Sequence, residues 1–509
     1  MAHSPVIRCG PAERSHDDIR LRAARLAGAL ADMGLKPGDR YAILMRNDVP
    51  FVEATLAGAA IGAVPVPVNW HWNGVELAYL LNDSDSKLVF AHTSLLPTLE
   101  PILPNGMQVV EVAEPDYLAE IYGLSAARPT GRYPDIEALI RGREPLTHSI
   151  AEPPLGVIYT SGTTGLPKGI MRQPMSAQDV SELSPLIFAV LGLSPGMSTV
   201  VTAPLYHTAP NAQMVFAVAL GCDVEILPKF DAEGLLRLIE GRRIEHAQMV
   251  PTMFIWLLKL PQEVTSRYDL SSLRTVVHAA APCPPDIKRA MIDWLGPIVR
   301  EYYGGSETGA CVACTSQEWL DHPGTVGCPI GDAAVKILDP SGVELPIGED
   351  GDIYIKPFAA WPDFTYMGNE AKRRDMEVDG YLNVGDVGHV DADGFLFLSD
   401  RRNDMVISGG VNIYPAEIES CIVGLGGVND VAVFGIPDPE FGESLAAHVE
   451  LAPGAQVGVE DIRGRVASHL AKYKIPKVVV FEEQLPRDDS GKLFKRKLKA
   501  QYWPRRANA

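Results

Sequence analysis

Tyr159-Thr160-Ser161-Gly162-Thr163-Thr164-Gly165-Leu166-Pro167-Lys168-Gly169 decides how the 509-residue chain is read. The apolar run Leu155 to Tyr159 reads as a strand that delivers a turn rich in glycine and hydroxyl groups, closed by one lysine. Glycines let a backbone approach an anion closely and turn its N–H groups inward; the hydroxyls donate further hydrogen bonds, and Lys168 adds a point charge. The stretch is therefore built to hold phosphate. It is not a Walker loop, which needs Gly-x4-Gly-Lys-Ser/Thr, because Lys168 is preceded by Pro167 and followed by Gly169. A surface turn would explain any one of these residues, but not all eleven together.

Around this loop the chain alternates. Apolar residues at helical spacing (Ile19, Ala23, Leu26, Ala27, Leu30) predict a helix over Asp17 to Met33, followed by a strand at Tyr41 to Met45. A helix at Phe51 to Ile61, a strand at Val64 to Val68, a helix at Val75 to Leu81 and a strand at Lys87 to Ala91 continue the pattern. Beyond the loop come strands at Thr199 to Ala203, Asp223 to Leu227, His246 to Val250 and Arg274 to His278, with helices between them. Such alternation predicts βαβ units and largely parallel sheets. Val335 to Leu338 and Gly351 to Lys356 read as a β-hairpin region, and near residue 400 the style changes to a compact α+β unit. The segment from Val112 to Pro154 carries little periodic signal. The expected fold class is α/β: a large N-terminal domain of doubly wound sheets with a β subdomain, and a small, mobile α+β C-terminal domain.

With 46% hydrophobic residues the chain can bury a large core. Its formal charge of −19 argues against a general affinity for nucleic acid or anionic membrane, so anionic ligands must meet local positive sites. The longest apolar runs, such as Met214 to Cys222, fall far short of the roughly 20 residues of a membrane span. The start, Met-Ala-His-Ser-Pro, has no secretory signal, and a cytoplasmic location is expected. Seven cysteines form no disulfide framework, and Cys311-Val-Ala-Cys314 lacks the partner pair or histidine that a metal site would need, so packing is its expected role.

Further stretches, in order, resemble the motifs of the adenylate-forming superfamily, which contains acyl- and aryl-CoA synthetases, firefly luciferase and peptide-synthetase adenylation domains. The resemblance runs from the phosphate loop to Lys492, and family members usually carry a longer lead than the roughly sixteen residues before the first helix here, so some edge structure is expected to be missing. In the phosphate loop it implies that Thr160, Ser161, Gly162, Thr163, Thr164, Gly165 and Lys168 hold the ATP phosphates. Ala203-Pro-Leu-Tyr-His-Thr-Ala209 resembles the second motif and implies a gating role for His207 beside the carboxylate pocket; on general grounds a packed or capping histidine is the commoner case. His278-Ala-Ala-Ala-Pro282 resembles the small-residue turn beside adenine, placing Ala280 and Ala281 there, although packing explains alanine equally well.

Tyr302-Tyr-Gly-Gly-Ser-Glu-Thr-Gly309 resembles the motif in which an aromatic ring stacks on adenine, a hydroxyl meets the α-phosphate and a carboxylate holds Mg²⁺; these positions are Tyr303, Ser306 and Glu307, with Gly304 and Gly305 leaving room for the acyl group. The family more often has threonine at Ser306, a change that keeps the donor. Gly380-Tyr-Leu-Asn-Val-Gly-Asp386 resembles the segment whose aspartate takes the ribose hydroxyls. Ser399-Asp-Arg-Arg-Asn-Asp-Met-Val-Ile-Ser-Gly-Gly-Val resembles the hinge and glycine loop: Arg401 would touch ribose, Asn403 stands where the hinge is usually Asp or Lys, and Gly409 and Gly410 would border the thiol channel. Leu485-Pro-Arg-Asp-Asp-Ser-Gly-Lys492 resembles the last motif, whose lysine reaches the reacting carboxylate; a turn before a basic helix is the alternative.

The resemblance implies domains over 1–401 (adenylation) and 402–509 (mobile), with Lys492, Lys168, Glu307 and Thr164 serving catalysis. It also implies ATP, Mg²⁺ and coenzyme A as cofactors and co-substrates, with a small-molecule carboxylic acid as the other partner. Lys474 and Lys477 could meet the phosphates of CoA. A medium- or long-chain fatty, aryl-alkyl or sterol-derived acid is expected, and a homodimer is compatible with the sequence. No carrier domain follows residue 509, which favours free CoA, while loading of a carrier protein in trans and a luciferase-like oxygenase share every motif. A non-catalytic scaffold would be expected to lack Lys492 or Glu307, and both are present.

Overall fold

The computed structural model describes residues 4–72, 74–125, 128–147, 150, 154–160, 167–401, 404–408, 411–439, 441–487, 491 and 493–503. Its centre is a 14-stranded sheet. Six of the strands run parallel, in the spatial order Val299–Tyr303, Thr275–His278, His246–Met249, Ser198–Val201, Asp223–Ile226 and Val6–Cys9. Helices such as Thr208–Ala219, Ala232–Arg242 and Pro285–Leu295 connect them. Past Val299–Tyr303 the sheet continues antiparallel through Val312–Cys314 and Thr325–Pro329 into Leu396–Arg401, Tyr381–Val390, Gly351–Lys356 and Ala334–Leu338. The hairpin expected at residues 335–356 is present and forms one end of the main sheet.

A second, four-stranded parallel sheet takes Val64–Pro67, Arg40–Leu44, Ser86–His92 and Gln108–Val112 in that order. The helix His16–Asp32 packs on it for the reason its sequence gives: Ile19, Ala23, Leu26, Ala27 and Leu30 share one face and are buried. Ser15 caps its start by accepting the Asp18 N–H at 3.1 Å. The quiet stretch after Val112 holds two short helices, Asp116–Ile121 and Ile136–Ile140, each too short for periodicity to mark it.

Val6–Cys9 and Ala12–Ser15 form a hairpin whose first strand joins the main sheet, Ile7 standing opposite Val224, and whose second strand is that sheet's edge. The Val6 N–H donates to Asp223 at 2.9 Å.

A third sheet is the small antiparallel set Phe364–Tyr366, Lys168–Arg172 and Ile158–Thr160. The C-terminal unit has its own five-stranded sheet: Val411–Ile413, Val406–Ser408, Gly442–Leu451 and Val428–Asp438, with Val478–Glu482 parallel to Gly442–Leu451. It closes over a separate core that includes Ile418, Ile422, Val433, Val449, Ile462 and Val466. The architecture is thus α/β with a large N-terminal sheet domain and a small C-terminal one. Among the described residues no helix is long and apolar enough to cross a membrane.

Candidate active site

Thr160 and Lys168 are register partners, so the sequence between them closes a hairpin whose two strands come from the third sheet. Ser161, Gly162, Thr163, Thr164 and Gly165 lie outside the described residues. The strands that carry the loop are anchored from below. The Tyr159 hydroxyl donates to Asp83 at 2.6 Å, tying the hairpin to the helix Gly74–Asp83. Gly169 sits so close to this anchor that a Cβ there would lie 2.7 Å from both the Tyr159 ring and Met367. A larger residue would push the hairpin off its support.

Beyond the carboxyl end of the parallel strand Val299–Tyr303, the usual place for ligands in an α/β sheet, the chain meets this hairpin where Arg172 donates to the carbonyls of Ser306 and Glu307. Val299–Tyr303 runs out into Gly304 and Gly305. A Cβ at Gly304 would fall 1.7 Å from the Gly309 carbonyl oxygen, so only glycine fits where the turn folds back on itself. Beyond it Ser306 shares a 2.7 Å hydrogen bond with Thr208. Thr208 opens the helix Thr208–Ala219, and His207, half-buried, is that helix's N-cap without a capping hydrogen bond from its side chain. The second and fourth motifs are therefore joined by hydroxyls, one residue from the histidine that the sequence pointed to.

Glu307 is held on both sides. Its Oε1 accepts the Tyr366 hydroxyl at 2.9 Å, and its backbone carbonyl receives the Trp361 Nε1–H at 3.4 Å. Burial first, then the Glu307 charge, pushes the Tyr366 phenol well above its usual pKa, so it remains a donor. Oε2 of Glu307 has no partner among the described residues.

Tyr303 donates its hydroxyl to Asp386 at 2.7 Å. Asp386 is in turn the register partner of Arg401, the last residue of Leu396–Arg401. Three residues assigned by sequence to adenine and ribose are thus collected at one point from strands nearly a hundred residues apart. Ala280 and Ala281, exposed at the end of Thr275–His278, complete that side; Ala280 holds φ +72°, a left-handed conformation unusual for a residue with a Cβ.

On the C-terminal unit, Asn403, Gly409, Gly410 and Lys492 lie outside the described residues. Gly491, which precedes Lys492, is described, and its carbonyl accepts from Arg487 Nη1 at 2.5 Å and from Thr252 of the large domain at 3.3 Å. Arg487 is itself fixed by Asp430, at 2.5 and 2.7 Å. Lys474 is ion-paired to Glu417, and Lys477 to Asp438 at 2.6 Å, so both lysines expected to meet CoA phosphates are taken up by carboxylates of their own unit. All seven cysteines are free; the buried thiols of Cys311 and Cys314 are each pushed up to about 12 by desolvation and stay protonated, in keeping with packing.

Several residues that complete the site carry no role in the sequence reading: Asp83, Arg172, Trp361 and Tyr366 lie outside every motif, and Thr208 sits in the second motif without an assigned part. Each acts through a hydrogen bond to a motif residue from a distant part of the chain, and only Thr208, beside His207, had a sequence signal that could have found it.

Two family models match the chain: the AMP-binding enzyme model over residues 3–358 and the AMP-binding enzyme C-terminal domain model over residues 417–492. The chain is similar to the long-chain-fatty-acid–CoA ligase FadD13 of Mycobacterium tuberculosis, 31% identical over 94% of this chain and 91% of that protein. It is equally similar to feruloyl-CoA synthase of an Amycolatopsis species, 31% identical over 98% and 96% of the two chains. Among solved structures, ATP-bound MatB from Rhodopseudomonas palustris superposes with a TM-score of 0.82 at 28% identity, covering 99% of this chain and 97% of that one.

Proposed function

The chain belongs to the AMP-binding enzyme family and is an AMP-forming ligase of the acid–thiol class, and from that premise we propose that it joins a hydrophobic carboxylic acid to coenzyme A through an acyl-adenylate. The observation that supports this reading is the hydrogen bond from Tyr303 to Asp386, itself opposite Arg401 in the sheet, which joins the ring assigned to adenine to the carboxylate assigned to ribose.

In the proposed first step the acid's carboxylate oxygen attacks the α-phosphorus of ATP, the α–β phosphoanhydride bond breaks, and pyrophosphate leaves. Thr160 to Gly165 and Lys168 hold the leaving phosphates, Ser306 meets the α-phosphate, and Lys492 stabilises charge on the bridging oxygen. Ala280 and Ala281 admit the adenine, and Gly304, Gly305 and His207 border the acyl pocket. In the second step the CoA thiolate attacks the acyl carbon and AMP departs; the unit 402–509 turns against 1–401 about Asn403, bringing in Gly409 and Gly410. For this to recruit Lys474 and Lys477 to the CoA phosphates, they would exchange Glu417 and Asp438 for them.

The donor set fits a magnesium ion. One carboxylate, with Oε1 fixed by Tyr366 and Oε2 without a protein partner among the described residues, matches a cation that prefers few carboxylates together with water and phosphate oxygens. Glu307 would hold it, and when bound it neutralises charge on the phosphates.

A fatty or aryl-alkyl acid is the favoured substrate, in keeping with relatives named for a long-chain fatty acid and for ferulate. The test is incubation with ATP, Mg²⁺, CoA and carboxylates from acetate to bile acids, following AMP and the mass of the thioester. A thioester with one chemical class supports the reading and names the substrate. Adenylate without thioester on every acid removes CoA as the acceptor.

A further inference from the structure

The guanidinium of Arg172, at the end of the strand Lys168–Arg172, has no carboxylate within ion-pairing distance among the described residues. Its partners are backbone carbonyls. It donates to Ser306 O, to Glu307 O through both terminal nitrogens at 3.4 Å, and to Pro362 O at 3.3 Å. Its Cζ lies over the Trp361 ring, 4.7 Å from the centroid, and Trp361 donates to the same Glu307 carbonyl. Desolvation lowers its pKa to about 10, with Glu307 the leading opposing charge, so it remains a cation at neutral pH.

A planar fork laid on an indole and bonded to two successive carbonyls fixes the peptide planes on either side of Glu307. Those planes set where the Ser306 hydroxyl and the Glu307 carboxylate point. Arg172 leaves the phosphate hairpin four residues after Lys168, so it also ties that hairpin to the Ser306–Glu307 turn. Its strand partner is Phe364, and Tyr366, two residues on, holds Glu307 Oε1.

We propose that Arg172 is a positioning residue for the magnesium–phosphate half of the site, acting through the carbonyls of Ser306 and Glu307 rather than by touching the nucleotide. This rests on the reading of the chain as an ATP-using ligase.

Calorimetric titration with ATP, with and without Mg²⁺, and with adenosine tests it on the full-length protein. Removing charge-assisted hydrogen bonds from this turn should weaken ATP binding in the presence of Mg²⁺ by about 10- to 100-fold in Arg172→Met. Binding of adenosine, which offers no phosphate, should stay within about twofold. Arg172→Lys should fail to restore the loss, because an ammonium cannot address two carbonyls in one plane. Glu307→Gln should lose the same Mg²⁺-dependent gain, and the double variant no more than either single one. Additive losses, rescue by lysine, or an equal fall in adenosine affinity would overturn the positioning role. A wild type that binds ATP with Mg²⁺ but adenylates no acid leaves the role standing and removes the ligase reading; a wild type that does not bind ATP overturns both.

Discussion

Thr252 donates its hydroxyl to the carbonyl oxygen of Gly491 at 3.3 Å, so the large domain grips the peptide that leads into Lys492. A second contact, Lys259 to the Asn429 carbonyl at 2.5 Å and to its side-chain oxygen at 2.6 Å, lies beside it. A neutral hydrogen bond of this kind contributes about 1 kcal/mol, roughly fivefold in a rate or population. Thr252→Val should therefore slow adenylation by about fivefold and leave thioester formation from supplied acyl-adenylate unchanged. Single-turnover kinetics of the two half-reactions separate these outcomes; equal slowing of both would mean that Thr252 does not favour one arrangement of the units.

Lys492→Ala should cost adenylation about 10²- to 10³-fold, the usual scale for losing one preorganised charge, and spare thioester formation from acyl-adenylate. Pyrophosphate release against thioester mass is the comparison to make, and a parallel loss refutes the assignment of this lysine to the first step.

Tyr303→Phe keeps the ring and removes the 2.7 Å bond to Asp386. The KM for ATP should rise by about three- to tenfold while kcat changes little, because the lost bond orients the nucleotide pocket without touching the reacting atoms. Steady-state kinetics with ATP varied at saturating acid measure this split.

His246 gives the clearest pH dependence. Its Nε2 lies 2.8 Å from the Leu191 carbonyl, which only accepts, so Nε2 carries the proton and Nδ1 accepts from the Thr199 hydroxyl at 2.7 Å. Burial pushes its pKa down to about 4, with the Leu191 carbonyl opposing the shift. Because the folded pKa is depressed, the unfolded chain takes up the proton first as pH falls. The stabilisation is fully present above about pH 6.5 and is lost as pH falls toward 4. Near pH 5 the loss is about 2 kcal/mol. His246→Gln should show a shallower fall in stability between pH 7 and 4.5, followed by urea denaturation; an unchanged slope would mean that this histidine does not set it.

The alternation of apolar runs made the parallel sheets legible, because a helix or strand writes its period into neighbouring residues. The helix predicted over Asp17 to Met33 appears as His16–Asp32, with the same five side chains buried. What stayed hidden depends on pairing at a distance. Val6–Cys9 is only four residues long, and nothing local reveals that it pairs with a strand at residue 224. Arg172 reads as an ordinary strand-end arginine until Ser306 is brought to it, and Lys474 and Lys477 read as free cations until Glu417 and Asp438 arrive. The motif residues were visible because backbone-constrained turns and charged ligands restrict residue type; the residues that aim them were not, since many side chains could do that work.

The strand Val6–Cys9, set between Ala12–Ser15 and Asp223–Ile226, also has to wait for its distant partner as the chain is made. Its partner strand begins 217 residues later than the Val6 amide that Asp223 receives. At about 5–20 residues per second, a ribosome needs roughly 10–45 s to produce that partner. The smaller parallel sheet, complete by Val112, is available long before then. The strand Val6–Cys9 is thus seated only after the smaller parallel sheet can have formed, and during that interval its apolar residues Val6 and Ile7 are open to other strands of the nascent chain.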